Sequence, residues 1–155
     1  MRMIVGGKNF GDYKKSQEIQ PFLDAMESIL TAGDDLYDTS FATASQQEIF
    51  SMVLVLDAEV GEWTDSDYDQ LDRYERFTFF CGEQFSNVSA VVYNREGVCN
   101  FIWSMSNNLS IPKIDNLKNL YSESIPLSVL ALTIKSSYSL LININPILSN
   151  RIKNR

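Results

Sequence analysis

Histidine is absent from this chain of 155 residues. Without an imidazole, the chain cannot build a Ser-His-Asp or Cys-His catalytic device, a zinc site with histidine ligands or a histidine pH switch. Cysteine is nearly absent as well, and Cys81 and Cys99 alone are too few for a disulfide framework or a metal cluster. We expect both to be small core thiols, and the sequence predicts no bound metal and no cofactor.

Long apolar runs are also missing. The amino terminus has about three consecutive apolar residues, from Met3 to Val5, which is too short for the core of a secretory signal. The apolar stretch at 125–144 has Lys135 near its middle, and a lysine at the bilayer centre costs about 2.5–3.5 kcal/mol. We therefore expect a cytoplasmic protein with no membrane contact. The glycine-rich segment at 6–11 lacks the spacing of a phosphate-binding loop and predicts a turn after an edge strand.

The chain is long enough to bury a core without disulfides or metals. Its 45% hydrophobic and 21% charged residues are typical of one globular domain, and no internal repeat or long linker interrupts it. We expect residues 1–155 to form a single domain with a basic, frayed tail at 149–155.

Hydrophobic periodicity predicts about three helices. The first begins close to Gln20, with Pro21 in its first turn, where proline is tolerated. The second follows Thr64, which is suited to be its N-cap, with Asp67 in the position of a capping acid. The third covers residues 127–143 and closes the chain.

Short aromatic and β-branched segments predict the strands. The apolar run at 49–56 is predicted as a central strand buried on both faces, and residues 107–124 are predicted as a loop. Turn residues at 82–84 and 94–97 divide the other core strands into two consecutive hairpins. The remaining strands are predicted at 2–5, 77–81, 88–93 and 98–103. The sequence thus predicts an α+β fold, an antiparallel β-meander sheet packed with about three helices.

The distribution of charge is the most informative feature of the sequence. The formal net charge is −7, and between residues 24 and 76 the fourteen acidic residues are accompanied by two basic ones, Arg73 and Arg76. A solvated surface explains any single acid, and a helix dipole favours negative charge in a first turn by about 0.3–1 kcal/mol. Neither explains the group, because like charges repel one another. The predicted partner-binding residues are Asp57, Glu59, Glu62, Trp63, Asp65, Asp67, Tyr68, Asp69, Asp72 and Glu75.

A cationic protein is the partner that this surface favours. Opposite charges raise association rates, and buried aromatic anchors prolong the bound state. Trp63 and Tyr68 lie among the acids as candidate anchors, although their spacing suits a hydrophobic staple of their own helix equally well. Direct binding to nucleic acid is not expected, because the phosphate backbone attracts Lys and Arg.

Two chemical interpretations of the acids are weaker. Asp65, Asp67 and Asp69 match the opening of an EF-hand calcium loop, but Gln70 replaces its glycine and Arg76 its bidentate glutamate. A pair of carboxylates acting as acid and base, as in a glycosidase, would make the chain a carboxylate-dependent hydrolase. That alternative stays open, whereas the main prediction is a protein that is not an enzyme.

The acidic segment at 57–75, the aromatic meander from 77 to 103 and the entry at 121–127 into the last helix suggest a family. In these features the chain resembles the immunity proteins of bacterial contact-dependent growth inhibition and related polymorphic toxin systems. The resemblance implies a small cytosolic antitoxin that binds a cationic toxin domain. For a nuclease toxin it implies occlusion of the active site, with the acids in place of substrate phosphates. The alternative from another class is a nucleic-acid mimic that inhibits a DNA-binding or restriction enzyme.

Overall fold

Four α-helices and two antiparallel sheets form the part of the chain that the structure describes. The computed structural model describes residues 3–5, 7–10, 20–54, 64–79, 88–105 and 120–144, so the tail predicted at 149–155 lies outside it. Strands β1 (Met3–Val5) and β2 (Lys8–Phe10) pair as a small hairpin, which confirms the predicted edge strand and adds a second strand. Gly7, with a φ of +75°, lies in the turn between them.

Helix α1 (Gln20–Ala32) begins where the sequence predicts, with Pro21 in its first turn. Proline loses no helical hydrogen bond there, because the first amide groups of a helix have no partner within it. Leu23, Met26 and Ile29 recur every three residues and are each at most 3% exposed. This apolar stripe therefore packs α1 onto the core.

The central strand predicted at 49–56 is wrong, because residues 46–53 form helix α2 (Gln46–Val53). Ser45 is its N-cap, and its hydroxyl accepts a hydrogen bond from the Glu48 amide at 3.3 Å. In return the Glu48 carboxylate accepts one from the Ser45 amide at 2.7 Å. This capping box begins a helix, and the apolar run then supplies its buried face. The buried residues of α2 are Ile49, Phe50 and Val53.

Helix α3 (Asp65–Tyr74) confirms the predicted helix after Thr64. The Asp67 carboxylate accepts hydrogen bonds from the Thr64 amide at 2.8 Å and from the Thr64 hydroxyl at 2.7 Å. These bonds from Thr64 hold the pKa of Asp67 below its usual range. The predicted staple between Trp63 and Tyr68 stays a prediction, because Trp63 lies outside the described residues.

A 3-10 turn (Glu75–Phe77) follows α3, so the strand predicted at 77–81 does not begin at Phe77. The Phe79 amide donates to the Ala90 carbonyl at 2.9 Å, and residues 80–81 lie outside the described part of the chain. Phe77 is fully buried in this turn, and Thr78 makes an isolated bridge to Val91. Burial of the Phe77 ring favours the helical turn, because that turn directs the ring into the core.

The main sheet has three antiparallel strands in the order β3-β4-β5. They are β3 (Val88–Arg95), β4 (Val98–Met105) and β5 (Tyr121–Pro126). The predicted β3–β4 hairpin is confirmed, but its turn is shorter than 94–97 and consists of Glu96 and Gly97. Their φ angles of +54° and +75° are those of a two-residue turn that matches the twist of the paired strands.

Strand β5 corrects the loop predicted at 107–124, since residues 121–124 pair with β4. Helix α4 (Leu127–Ile144) follows at once and confirms the last predicted helix. The described residues form four α-helices, one more than predicted, because residues 49–53 of the apolar run are helical.

Both faces of the main sheet are covered at its centre. Three consecutive residues of β3, Ala90, Val91 and Val92, are at most 3% exposed, and so is the stretch from Phe101 to Trp103 in β4. Consecutive strand residues point to opposite faces, so each face packs against other elements. Helix α1 contacts β3 and α4, whereas α2 contacts β3, β4 and α3. The predicted α+β fold is confirmed.

Candidate partner-binding surface

Helix α3 carries the predicted site residues that the structure describes. Asp65, Asp69 and Asp72 recur at spacings of four and three residues, which places them on one side of the helix, and all three are exposed. Tyr68 is 55% exposed and lies among them, and the exposed Glu75 follows the last turn. These five residues, Asp65, Tyr68, Asp69, Asp72 and Glu75, are called the acidic face of α3 below.

The opposite side of α3 anchors the helix to the rest of the protein. The Gln70 side-chain amide donates a hydrogen bond to the Met52 carbonyl of α2 at 3.2 Å. The hydroxyls of Tyr74 and Ser40 lie 3.2 Å apart and share a hydrogen bond. The Tyr74 ring also stacks on Phe41, with the ring centroids 6.0 Å apart. Three contacts with sequence-distant partners therefore fix which side of α3 points outward.

The carboxylates of the acidic face are not compensated within the described part of the chain. No Lys or Arg nitrogen there lies within 4.0 Å of an oxygen of Asp65, Asp69, Asp72 or Glu75. Like charges three or four residues apart destabilise a helix by about 0.2–0.5 kcal/mol per pair. The helix dipole offsets this repulsion only at Asp65, in the first turn. Asp72 and Glu75 lie at the carboxyl-terminal end, where the dipole disfavours negative charge.

The two arginines nearest this face are directed away from it. The Arg73 guanidinium forms two hydrogen bonds to the Asp38 carboxylate, with distances of 2.6 and 2.9 Å. Arg76 donates to the Tyr37 carbonyl at 3.3 Å, and its guanidinium lies 4.7 Å from the centroid of the Phe77 ring. Both cations are thus used to hold the segment at 37–38 against α3.

Asp38 is 8% exposed and also accepts a hydrogen bond from the Ser40 amide at 2.9 Å. The bonds from Arg73 hold the pKa of Asp38 well below its usual range. A group whose folded-state pKa is lowered stabilises the fold above its unfolded-state pKa, near 3.9 for aspartate. That stability is lost as the pH falls from about 5 toward the lowered pKa.

Asp38→Asn is therefore expected to lower the free energy of unfolding at pH 7 by about 1–2 kcal/mol. The effect is smaller than for a fully buried pair because the Arg73 side chain is 52% exposed and water screens it. Urea unfolding at pH 7 and pH 3 measures the free energy of unfolding of both proteins. The variant should lose less of this free energy on acidification than the parent. Asp72→Asn, on the exposed side of the same helix, is the control. Equal acid sensitivity of parent and Asp38→Asn would contradict the assignment.

A groove of about 600 Å³ with a mixed polar and apolar lining lies beside α3, between the 3-10 turn at Thr39–Ala42 and α2. Ser40 and Met52, which line it, are the residues bonded to Tyr74 and Gln70 of α3. Hydrogen bonds from Ser45 lower the pKa of Glu48, so the groove contains an ionised carboxylate. Such a groove can accept the cationic side chain of a partner. It is lined by Ser40, Thr43, Ala44, Gln47, Glu48, Ser51 and Met52.

The structure brings five predicted site residues together as the acidic face of α3 and places Asp67 in the helix cap. Four predicted residues lie outside the described part of the chain and stay predictions: Asp57, Glu59, Glu62 and Trp63. Sequence reasoning missed Glu48, although Ser45 three residues before it is a capping signal. It also missed Asp38, whose partner lies 35 residues away, so that no local pattern connects the two.

The other chemically relevant groups in the same part of the chain are the remaining carboxylates and one thiol. Among the described residues, no group of three or more Cys, Asp or Glu side chains is placed to hold a metal ion. Cys99 is fully buried, and burial raises its thiol pKa to about 12, which keeps the thiol protonated. Within the described ranges, no helix is long and apolar enough to cross a membrane.

The described residues thus define an α+β protein with an exposed acidic helix face. No protein-family model and no curated protein matches the sequence. One similar solved structure is an immunity protein, CdiI from Burkholderia dolosa AUO158. The alignment has a TM-score of 0.48 and 10% sequence identity, and it covers 84% of this chain and 78% of that chain. At this level the similarity assigns no role to individual residues.

Proposed function

We propose that this chain is a cytoplasmic immunity protein that neutralises a cationic toxin domain by binding it through the acidic face of α3. The observation that carries the proposal is the charge of that face, whose carboxylates form no ion pair with any described Lys or Arg. Its carboxylates repel one another, and two of them oppose the helix dipole. A basic surface on a partner removes that repulsion on binding, which solvent alone does only in part.

The acidic face combines two properties that a toxin-binding surface needs. Its charges steer a basic partner toward productive encounters, so association is fast at low ionic strength. Tyr68 supplies a large, rigid side chain that is 55% exposed and can be buried between the proteins. The adjacent groove with Glu48 adds a concave element to the same region.

Inhibition by occlusion follows from the chemistry of the partner. A nuclease binds the phosphates of its substrate with Lys and Arg side chains. Carboxylates spaced along a helix offer those side chains alternative anionic partners and exclude the substrate from the active site. In this proposal the chain acts by binding alone and performs no reaction.

The test is binding to a toxin encoded immediately upstream of this chain. Calorimetry at about 50 and 500 mM NaCl is expected to give one-to-one binding that weakens at least about tenfold at the higher salt. Affinity that does not change with salt would contradict the electrostatic mechanism. Inhibition of several unrelated DNA-binding enzymes, in competition with DNA, would instead indicate a nucleic-acid mimic.

A further inference from the structure

The groove of about 600 Å³ beside α2 combines charged, polar and apolar groups, and it is called the α2 groove below. Glu48 supplies its single carboxylate, and Thr43 and Ser51 supply hydroxyls that can donate or accept hydrogen bonds. Ala44 and Met52 supply apolar surface, and a methionine side chain adapts to the shape of what it contacts. An apolar wall beside one anionic group suits a ligand with an aliphatic stem and a cationic end.

The Glu48 carboxylate is ionised, and most of its lone pairs are available to a ligand. Its Oε2 atom accepts the 2.7 Å hydrogen bond from the Ser45 amide, and bonds from Ser45 hold the pKa of Glu48 below its usual range. A carboxylate has about four lone-pair sites, so this capping bond occupies only one of them. Within the described ranges, no lysine or arginine nitrogen lies within 4.0 Å of a Glu48 oxygen. A partner can therefore supply the cation that this carboxylate lacks there.

The chemistry of the α2 groove favours arginine over lysine. A guanidinium has five N–H donors in one plane, so it can bond the Glu48 carboxylate while other N–H groups reach the hydroxyls of Thr43 and Ser51. It is also more weakly hydrated than an ammonium group, so partial removal of its water costs less free energy. The stem of an arginine can pack on Ala44 and Met52. Arginine therefore fits both the polar and the apolar parts of the groove.

Helix α3 places the α2 groove beside the acidic face. Tyr74 and Gln70, on the anchoring side of α3, are bonded to Ser40 and Met52, which line the groove. A helix with its side chains is about 10–12 Å across, so the groove and the acidic face lie about one helix diameter apart. A standard interface buries about 800 Å² on each partner, which corresponds to a patch about 30 Å wide. One protein bound to the acidic face of α3 can therefore cover the groove as well.

We propose that the α2 groove binds an arginine side chain of the protein partner, with Glu48 as its anionic ligand and Met52 against its stem. This site rests on the proposed function, which supplies a cationic partner. The acidic face of α3 attracts any cation of that partner, whereas the groove selects one side chain by shape and hydrogen bonding. Glu48 is thus a residue that determines specificity.

An NMR titration of the isotope-labelled full chain with Nα-acetyl-arginine methylamide tests the groove without any toxin. The NaCl concentration is lowered to keep the ionic strength constant up to about 50 mM ligand. The amide signals of Thr43, Gln47, Glu48 and Ser51 are expected to shift with a dissociation constant of about 1–20 mM. The matched citrulline derivative has nearly the same shape without the charge. It and the lysine derivative should each bind at least about fivefold more weakly.

Glu48→Gln separates the charge of this side chain from its role in the helix cap. Glutamine also accepts the capping bond from the Ser45 amide, so the variant should melt at the temperature of the parent. It should bind the arginine derivative about tenfold more weakly, whereas Glu27→Gln, at an exposed position of α1, should bind it as the parent does. Equal affinity of Glu48→Gln and the parent overturns the proposal. Shifts scattered over other acidic elements also overturn it, and so does equally tight binding of the citrulline or lysine derivative.

Calorimetry with the toxin separates the arginine site from the proposed function. Glu48→Gln is expected to weaken toxin binding about tenfold, and Glu27→Gln less than about twofold. Salt-dependent toxin binding that is the same for Glu48→Gln and the parent overturns the arginine site and leaves the proposed function standing. A toxin that does not bind at all contradicts the proposed function, whereas the NMR titration still decides whether the groove accepts arginine.

Discussion

Neutralising the acidic face of α3 is expected to weaken toxin binding by about 100-fold and, at the same time, to stabilise the free protein. The variant combines Asp65→Asn, Asp69→Asn, Asp72→Asn and Glu75→Gln. Each exposed ion pair across an interface contributes about 0.5–1 kcal/mol, so four together approach 3 kcal/mol. Removing the repulsion within the face should raise the free energy of unfolding by about 0.5–1 kcal/mol. Calorimetry and urea unfolding measure the two effects.

Two double variants separate the position of the charges from their number. Asp69→Asn with Asp72→Asn removes two charges from the acidic face, and Glu27→Gln with Glu96→Gln removes two exposed charges from other elements. The first pair should weaken binding by about tenfold and the second by less than about threefold. Equal weakening by both pairs would show that net charge alone governs binding.

Replacing Asn94 by aspartate is expected to lower the free energy of unfolding by about 3 kcal/mol or more. Asn94 is fully buried in β3, and its side-chain amide donates to the carbonyls of Ile29 at 2.8 Å and Gly33 at 2.7 Å. The Ile29 carbonyl lies in the last turn of α1, where the helix has no donor of its own for it, and the Gly33 carbonyl follows the helix and also accepts from the Leu36 amide at 3.3 Å. Aspartate replaces the shared donor with a buried acceptor that carries charge.

Urea unfolding followed by tryptophan fluorescence measures the loss. Asn100→Asp is the matched control, because Asn100 is only half-buried and its amide donates over longer distances of 3.3 and 3.5 Å. It should destabilise the protein by about 1 kcal/mol or less. Equal effects at the two positions would show that Asn94 does not tie the sheet to α1.

Local signals explain which elements could be predicted from the sequence. Helix α3 was predicted because Thr64 and Asp67 form a cap within one turn. The hairpin of β3 and β4 was predicted because glycine and polar residues separate two β-branched runs. The strand prediction for 49–56 fails because β-branched composition favours a strand there, whereas the capping box of Ser45 and Glu48 begins a helix. Strand β5 was missed because Ser122 and Ser124 make it polar, and only pairing with β4 orders it.

The candidate site also combines features that local sequence reveals with features that depend on tertiary contacts. Composition sufficed to name Asp65, Asp69 and Asp72 as candidate residues, and their common face follows from their spacing in α3. The outward orientation of that face depends on tertiary contacts, such as that between Tyr74 and Phe41, which the sequence does not reveal. Asn94 was predicted in a turn, since asparagine is common there. Its burial in β3 depends on two carbonyls more than sixty residues away.

Carboxyl footprinting of the one-to-one complex examines the proposed contact itself. Carbodiimide coupling of an amine labels exposed carboxylates, and mass spectrometry then reports the labelling of each residue. Asp65, Asp69, Asp72 and Glu75 are expected to lose most of their labelling on binding, whereas Glu27 and Glu96 keep theirs. Full labelling of those four carboxylates in a saturated complex would contradict binding through the acidic face of α3.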